Sequence, residues 1–277
     1  MCAKVLTNDN LNASLLMDKM TCPCNVHTFD VLDSTNTYAK NLQDISIPAL
    51  IVANEQTHGR GRLGRSFYSP AAQGIYMTIA FEPNFDTDKI MLVTPLAAVA
   101  VCKALEEITG IVPKIKWVND IYLDGQKVCG ILTEAQSDTN AGIINKIIVG
   151  IGINCFEQEF PEEIKDRATY IKTPLKEFDR NSLIAAITNQ FLGSLENFDS
   201  ENLIKDYKAR SLLLGESILI YGTNQSALPE NGGQGIHARA IDIDQNGGLV
   251  VEYLEGPKKL QIESITSGEV TIRQTNF

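Results

Sequence analysis

Two hydrophobic periodicities divide the chain into predicted strands and helices. Apolar residues at alternate positions, or in short continuous runs, predict β-strands over residues 26–32, 49–53, 74–81, 114–118, 121–123, 127–134 and 146–153. A helical period predicts helices over residues 88–109, 180–195 and 201–208. Pro95 is tolerated early in the first of these helices or marks its true start. The polar side chains of Ser34, Thr35 and Asn36 favour the start of a further helix, because such side chains cap helix N-termini.

The sequence pattern changes at two places, near residue 25 and near residue 214. Residues 1–25 show neither period and are predicted to form a loose tail. After residue 214, short β-forming runs are separated by Gly, Asn or Pro about every ten residues, which predicts a small barrel or sandwich. We therefore expect a tail over 1–25, a main domain over 26–213 and a β domain over 214–277.

Composition narrows the classes of function. The chain of 277 residues has a formal net charge of −10. Such a surface repels phosphate backbones, so a general nucleic-acid binder is disfavoured. No run of about eighteen apolar residues is present to span a membrane, and residues 1–21 lack the apolar core of a signal peptide. The sequence predicts a cytoplasmic protein.

The cysteines agree with a reducing compartment. Three of them lie in apolar segments typical of small core residues: Cys102, Cys129 and Cys155. Cys22 and Cys24, with His27 nearby, form the one cluster that suggests a metal. A second pair is missing and the spacing matches no standard zinc site, so metal binding there is disfavoured.

Residues 59–65 (Gly-Arg-Gly-Arg-Leu-Gly-Arg) are the most informative segment of this acidic chain. They contain three arginines and three glycines in seven positions. Glycines let the backbone approach a ligand, and guanidinium groups match carboxylate and phosphate oxygens two at a time. The segment predicts a mobile loop that closes over an anionic small molecule. A solvated basic loop or a nucleic-acid-binding loop stays open on this segment alone.

Further polar motifs precede and follow this loop. Ser34-Thr35-Asn36 is followed about twenty residues later by Glu55-Gln56 and the arginine-rich loop. Lys-Trp-Val-Asn-Asp occupies residues 116–120, and a predicted tight turn at Asp124-Gly125 leads to Lys-Val-Cys-Gly-Ile-Leu-Thr-Glu at residues 127–134. Val-Gly-Ile-Gly-Ile-Asn follows at residues 149–154. No Ser/His/Asp or Cys/His arrangement accompanies them.

In order and spacing these motifs resemble those of the biotin protein ligases, namely GRGRxGR, KWPNDxY, KxxGILxE and GxGxN. The resemblance extends from Phe29 to Val270, with Val118 where the family usually has proline. It implies an α+β fold, in which a class II synthetase-like catalytic domain with a mixed, mostly antiparallel sheet precedes a small SH3-like β-barrel. It also implies a two-step reaction, in which biotin and ATP give biotinyl-5′-AMP, which then modifies a lysine of a biotin carboxyl carrier protein.

The resemblance implies roles for individual residues. The catalytic residues are Lys127, which contacts the biotin carboxylate and the α-phosphate, and Arg62. The expected biotin-binding residues are Ser34, Thr35, Asn36, Gln56, Gly59, Arg60, Gly61, Arg62, Lys127 and Gly130. The expected ATP-binding residues are Arg62, Arg65, Asn119, Asp120 and Asn154, with Mg²⁺ near Asp120. Residues 168–170 resemble the segment that covers the adenine, and Trp117 is expected in the core.

Two rival functions remain. A lipoate–protein ligase shares the fold and the adenylation chemistry, but its arginine- and glycine-rich motif differs. A biotin-sensing repressor carries a winged-helix segment before the catalytic domain, whereas here the catalytic pattern already begins at Phe29. We therefore expect a short-form ligase that does not bind DNA or membranes and that forms a homodimer if it follows many family members.

Overall fold

The computed structural model describes residues 10–137, 143–173, 178–221 and 235–272. The strands of the first part are β1 Asn25–Leu32, β2 Ala49–Gln56, β3 Gly74–Phe81, β4 Lys114–Lys116, β5 Asp120–Leu123, β6 Gln126–Ser137 and β7 Ile144–Asn154. The helices are α1 Ala13–Lys19, α2 Thr35–Asn41, α3 Val93–Thr109, α4 Arg180–Glu196 and α5 Ser200–Arg210. The strands of the last part are β8 Ser217–Tyr221, β9 Ile236–Ile243, β10 Leu249–Tyr253, β11 Ile262–Ile265 and β12 Glu269–Ile272.

The main sheet has the strand order β1-β2-β3-β7-β6-β5-β4. Strands β1 and β2 are parallel, whereas β2–β3, β3–β7, β7–β6 and β6–β5 are antiparallel. The prediction of a mixed, mostly antiparallel sheet is therefore confirmed. Strand β3 is buried at every position, as its continuous apolar sequence predicts for a central strand covered on both faces.

Helix α2 covers one face of this sheet and α4 the other. Ala39 of α2 packs in a buried cluster with Ala80 of β3 and Ile148 of β7. Phe191 of α4 meets the ring of Phe81, with centroids 5.8 Å apart, and Phe81 points to the opposite face from its neighbour Ala80. The alternation of side chains along β3 therefore places α2 and α4 on opposite faces of the sheet.

A buried lysine fixes the C-terminal end of α2. Lys146 Nζ lies 3.4, 3.3 and 2.6 Å from the carbonyl oxygens of Ala39, Lys40 and Leu42. The ammonium group donates to these carbonyls at the end of the helix, where the Ala39 carbonyl also accepts from the Leu42 N–H at 3.3 Å. Burial lowers the pKa of Lys146. The lysine anchors the short helix whose first turn carries Thr35 and Asn36.

The expected loose tail is wrong for part of its length, because residues 13–19 form α1. Asn12 caps this helix by accepting from the backbone N–H groups of Ser14 and Leu15 at 2.9 and 3.1 Å. Two asparagines of α4 hold the segment: Asn181 Oδ1 accepts from Asn12 N at 3.1 Å, and Asn189 Oδ1 accepts from Thr21 N at 2.9 Å. A helix of two turns is too short to show a period in the sequence.

The long helix predicted over 88–109 is shorter than expected. A 3₁₀ segment, Thr87–Leu92, precedes α3, and Pro95 lies in the first turn of α3, where a backbone N–H has no partner to lose. The helix ends at Gly110, whose φ of 69° is left-handed. The helix begins at Val93, so the proline is tolerated in its first turn and does not mark its start.

The chain forms two compact units. The first comprises the chain up to Lys114 and Asn119–Phe198, and the second comprises Ile115–Val118 and the chain from Asp199 onwards. The peptide bond between Trp117 and Val118 is cis. Trp117 is buried, as expected, and its indole N–H donates to Gly247 O at 2.9 Å inside the second unit. The division near residue 214 stays a prediction.

The last part of the chain contains an antiparallel sheet in the order β11-β10-β9-β8-β12. The prediction of a separate β-rich region is confirmed. Over residues 199–221 and 235–272, the outermost strands β11 and β12 do not pair with each other, so a closed barrel is not observed there. Within the described ranges no helix has the length and apolar character that crossing a membrane requires.

Candidate active site

Three glycines form a floor without side chains on the α2 face of the main sheet. Gly152 of β7 pairs with Gly130 of β6, and Gly150, two residues before Gly152, lies on the same face. Tyr76 borders this row on β3 and Asp120 borders it on β5. The register therefore aligns Tyr76, Gly152, Gly130 and Asp120 across four strands, and the two central glycines leave a shallow groove over which side chains of other segments pack.

Two side chains lie directly on this floor. A Cβ on Gly152 would lie 2.5 Å from Phe67 Cε1, and a Cβ on Gly150 would overlap the Asn36 amide. Real Cβ atoms do not approach so closely, so a methyl group at either glycine would displace the aromatic ring or the amide. These glycines are required by the side chains packed over them.

The first end of the groove is a buried network of neutral polar groups. Gln56 Oε1 accepts from the N–H of Thr35 at 2.9 Å and lies 3.1 Å from Thr35 Oγ1. Thr78 Oγ1 lies 2.8 Å from Thr35 Oγ1 and donates to Asn36 Oδ1 at 2.6 Å. The Gln56 amide donates to Ser69 Oγ at 3.0 Å. Paired hydroxyl and amide groups of this kind can recognise a ligand with both N–H donors and a carbonyl acceptor.

Ser34 belongs to the same buried segment but does not cap α2 with its side chain. Its side chain is 2% exposed, and its backbone N–H donates to Asp33 Oδ1 at 2.6 Å. The predicted capping role of Ser34 is therefore wrong. Its predicted role in binding stays a prediction.

The other end of the groove is charged, and four predicted residues meet there. Lys127 Nζ lies 2.7 Å from Asp120 Oδ1, and the Asn119 amide donates to the same oxygen at 3.0 Å. Arg62 Nη1 donates to Asn119 Oδ1 at 2.8 Å. The two side chains of the ion pair are 33% and 24% exposed. Two cations therefore stand at an accessible position, held by one carboxylate and one amide.

The spacing of Lys127 and Gly130 has a structural reason. A Cβ on Gly130 would lie 3.0 Å from Lys127 Nζ and 3.1 Å from Lys127 Cε. The lysine side chain therefore bends back over Gly130 towards Asp120, which pairs with Gly130 on β5. A larger residue at position 130 would move the ammonium group.

The arginine-rich loop is folded on itself. The Gly61 N–H donates to Arg65 O at 2.7 Å, and Arg60 forms an isolated bridge with Ser66. The three guanidinium groups lie at separate positions and do not converge on one point. Arg62 binds Asn119, Arg60 Nη2 lies 3.2 Å from Glu134 Oε1, and Arg65 is exposed.

Hydrogen bonds to the backbone of Thr169 connect Asn154 with Lys127 at the charged end of the groove. Its amide donates to Thr169 O at 2.9 Å, while the Thr169 N–H donates to Lys127 O at 2.8 Å. Ala168 forms a parallel bridge with Lys127. Ala168 and Thr169 therefore lie beside Lys127 and the end of β7, and the expected role of residues 168–170 over the adenine stays a prediction.

Sequence reasoning missed Phe67, Thr78 and Glu134. The Glu134 carboxylate accepts from the Asn36 amide at 3.0 Å and pairs with Lys40 at 2.8 Å. Burial alone would raise the pKa of Glu134, but these hydrogen bonds and the charges of Lys40 and Arg60 hold it below its usual value. Glu134 ends the KxxGILxE motif, which was the available signal, whereas Thr78 lies in an ordinary apolar strand.

Within the described residues, neither a reactive cysteine nor a cluster of metal ligands is evident. Burial raises the pKa of the Cys129 thiol, so this residue is a poor nucleophile. Among the residues whose positions the structure describes, no group of three or more His, Cys, Asp or Glu is arranged to hold a metal. A metal at Asp120 would therefore need ligands from a bound substrate.

Comparisons with known proteins identify the family of this chain. Residues 28–154 match the Biotin/lipoate A/B protein ligase family, and residues 228–273 match the Biotin protein ligase C terminal domain. The chain is 37% identical over 249 residues to the bifunctional ligase/repressor BirA of Bacillus subtilis (strain 168), covering 86% of this chain and 73% of that protein. It is 30% identical over 244 residues to the biotin–[acetyl-CoA-carboxylase] ligase of Paracoccus denitrificans, covering 83% and 94%.

Solved structures give the same result. The biotin protein ligase from Aquifex aeolicus in complex with biotin and ATP superposes with a TM-score of 0.72 at 30% identity, over 91% of this chain and 99% of that one. The apo structure of the Aquifex aeolicus ligase superposes with a TM-score of 0.69 at 27% identity. Sequence relatives and solved folds agree over most of the chain, and the chain belongs to the biotin protein ligase family.

Proposed function

We propose that this protein is an ATP-dependent ligase that activates biotin as biotinyl-5′-AMP and transfers biotin to a lysine of a biotin carboxyl carrier protein. The observation that carries the proposal is the arrangement of the groove. A buried neutral network lies at one end, and Lys127 and Arg62 lie at the other, with a floor of glycines between them. Biotin has a neutral ureido ring at one end and a carboxylate at the other.

The neutral network suits the ureido ring. Asn36 Oδ1 accepts from Thr78 and keeps a second lone pair, so it can accept from a ureido N–H. The hydroxyl group of Ser34 can donate to the ureido carbonyl, whereas the Thr35 hydroxyl donates to Gln56 Oε1 and can accept from the ring. The ring would lie over the glycine floor, beside the Asn36 and Phe67 side chains that pack on it. Ser34, Thr35, Asn36 and Gln56 are therefore proposed as head-group ligands.

The charged end suits the first chemical step. The biotin carboxylate attacks the α-phosphorus of ATP, the P–O bond to the leaving group breaks, and pyrophosphate departs. Both reactants are anions, so fixed cations are needed where negative charge develops. Lys127 Nζ and the Arg62 guanidinium supply them. The nucleophile is the substrate carboxylate, so the protein needs no Ser or Cys nucleophile.

The second step needs a neutral lysine amine from the carrier. The amine attacks the carbonyl carbon of the mixed anhydride, an amide bond forms, AMP leaves and a proton is lost. The loop over residues 59–65, including Gly59, Arg60 and Gly61, is proposed to shield the anhydride from water until the carrier arrives.

The nucleotide is proposed to lie beside the carboxylate end of biotin. Arg62, Arg65 and Asn119 would contact phosphates, and Asn154 would contact the base side, next to the segment around Thr169. Mg²⁺ would be held by the ATP phosphates and by Asp120. One carboxylate suits this cation, because Mg²⁺ keeps most of its ligands from water and phosphate. It would neutralise phosphate charge there.

The direct experiment follows pyrophosphate with biotin and Mg·ATP, before any carrier is present. Biotinyl-adenylate should stay bound, and adding a carrier domain should give a biotinylated lysine by mass spectrometry. ADP with inorganic phosphate, or a covalent biotinyl-enzyme, would contradict the mechanism. Thermal shifts with biotin and with lipoate distinguish a biotin ligase from a lipoate–protein ligase, because a ligand that binds the native state raises the Tm. A biotin ligase should respond to biotin and not to lipoate.

Three further expectations belong to the same proposal. A cytoplasmic location is supported by the buried thiols of Cys102, Cys129 and Cys155, which suit a reducing compartment. The net charge of −10 disfavours DNA binding, although several relatives are named bifunctional ligase/repressor. A homodimer, as in many members of the family, is testable by light scattering with and without biotin and ATP.

A further inference from the structure

Glu134 lies where three elements of the site meet. Its carboxylate, on β6, contacts Asn36 and Lys40 from α2 and Arg60 from the arginine-rich loop. The distances are 3.0 Å to Asn36 Nδ2, 2.8 Å to Lys40 Nζ and 3.2 Å to Arg60 Nη2. The side chain of Glu134 is 20% exposed. It does not lie among the Lys127 and Arg62 contacts, so it is outside the reacting end of the groove.

One oxygen of Glu134 settles which way the Asn36 amide points. A carboxylate only accepts, so the amide nitrogen of Asn36 must face Glu134 Oε2, and Leu132 O lies 3.5 Å away on the same side. The amide oxygen is then left for the Thr78 hydroxyl. The negative charge of Glu134 thereby presents an acceptor, and not a donor, towards the proposed head-group pocket.

The same carboxylate also docks the loop. Arg60 Nη1 donates to Glu134 Oε2 at 3.3 Å, and Arg60 Nη2 lies 3.2 Å from Oε1, so the guanidinium faces both oxygens. An isolated surface ion pair contributes little, but a two-point contact to a half-buried carboxylate in a network contributes more. Arg60 lies 74 positions from Glu134 in sequence, so this contact fixes the loop against the sheet.

We propose that Glu134 is a positioning residue that couples closure of the arginine-rich loop to the orientation of Asn36 in the head-group pocket. The part of this inference that concerns biotin rests on the proposed function. Neutralising Glu134 releases Arg60 and lets the Asn36 amide turn over. The loop then opens more often, biotin binds less tightly and biotinyl-adenylate escapes sooner.

The test compares Glu134→Gln, Arg60→Met and the double variant with wild type. Lys40→Met is the matched control, because Lys40 contacts the same carboxylate at 2.8 Å but belongs to α2 and not to the loop. Hydrogen exchange over residues 57–67 is measured without ligand. The release rate of biotinyl-adenylate is measured by chasing with unlabelled biotin and ATP.

We expect Glu134→Gln to weaken biotin binding about tenfold, since a reversed amide leaves buried donors facing each other. Exchange of the loop and adenylate release should each rise about three- to tenfold in Glu134→Gln and in Arg60→Met. The double variant should release adenylate no faster than the faster single variant. Lys40→Met should leave loop exchange at the wild-type rate.

Other outcomes overturn the inference. If the two effects on release multiply, Glu134 does not act through Arg60, and if Lys40→Met opens the loop equally, the effect is general destabilisation. Wild-type protein that forms no biotinyl-adenylate contradicts the proposed function instead. The exchange measurement without ligand still tests the docking of Arg60 in that case, because it needs neither biotin nor ATP.

Discussion

A single substitution at Lys127 gives the sharpest test of the proposed mechanism, because it can remove the charge of the ammonium group. Lys127→Met removes the charge and keeps an unbranched side chain that can still bend over Gly130, where the lysine Cε lies 3.1 Å from an ideal Cβ. The Asn119 amide continues to donate to Asp120. The substitution therefore changes the charge of the site more than its packing.

The expected magnitudes for activity and stability are different. Losing one charged contact to the developing phosphorane costs about 3 kcal/mol, or about a hundredfold in adenylation rate. The ion pair with Asp120 is 33% and 24% exposed. A partly solvated pair of this kind contributes about 1 kcal/mol or less to stability. We expect slow adenylation in a protein that is folded and nearly as stable as wild type.

The assay is single-turnover release of pyrophosphate at saturating biotin and ATP, with urea unfolding for stability. Lys165→Met is the control, because Lys165 forms an ion pair of 2.6 Å with Glu162 away from the groove, and its rate should be that of wild type. Adenylation at the wild-type rate in Lys127→Met would refute the placement of the α-phosphate. A loss of stability as large as the loss of rate would also refute it.

Three other predictions follow from the site. The Arg62→Gly variant should release biotinyl-adenylate early and should biotinylate bystander lysines. In the wild-type protein, hydrogen exchange over residues 57–67 should slow when biotin and ATP bind. Equal exchange in both states would mean that the loop is static. Gly150→Ala should weaken biotin binding more than tenfold by titration calorimetry, because its Cβ would displace the Asn36 amide; unchanged affinity would remove Asn36 from the pocket. The pKa of Glu134 is below its usual value of 4.5 in the folded protein, so its contribution to stability is full above that value and is lost as the pH falls further. Urea titrations should therefore show that the difference in unfolding free energy between wild type and Glu134→Gln becomes smaller as the pH is lowered from about 6 to about 3. A difference that becomes larger at low pH would contradict a lowered pKa of Glu134.

The strands of the main sheet were the most predictable part of the fold. Strand β3 spans the predicted Gly74–Phe81, since its apolar run is bounded by turn residues. The turn at Asp124 and Gly125 was equally clear, and both residues have positive φ, 49° and 79°. Short elements were harder, because the seven residues of α1 cannot display a period and depend on Asn181 and Asn189 of α4.

The candidate site shows the same division between local and long-range information. The motifs place Lys127 and Gly130 three positions apart, and the structure adds that the lysine folds back over that glycine. The pairing of Gly130 with Gly152 depends on the register of β6 and β7, which the motifs alone do not contain. The Arg60–Glu134 contact joins residues 74 positions apart, so only the folded sheet brings them together.

The most direct test of the central claim follows oxygen from biotin. The account has the biotin carboxylate attack the α-phosphorus and the carrier amine then attack the carbonyl carbon, so one carboxylate oxygen must leave with AMP. With biotin labelled by ¹⁸O in both carboxylate oxygens, one turnover with a carrier domain should give AMP that contains one ¹⁸O, read by mass spectrometry. AMP without ¹⁸O, or label found only in inorganic phosphate, would contradict the account.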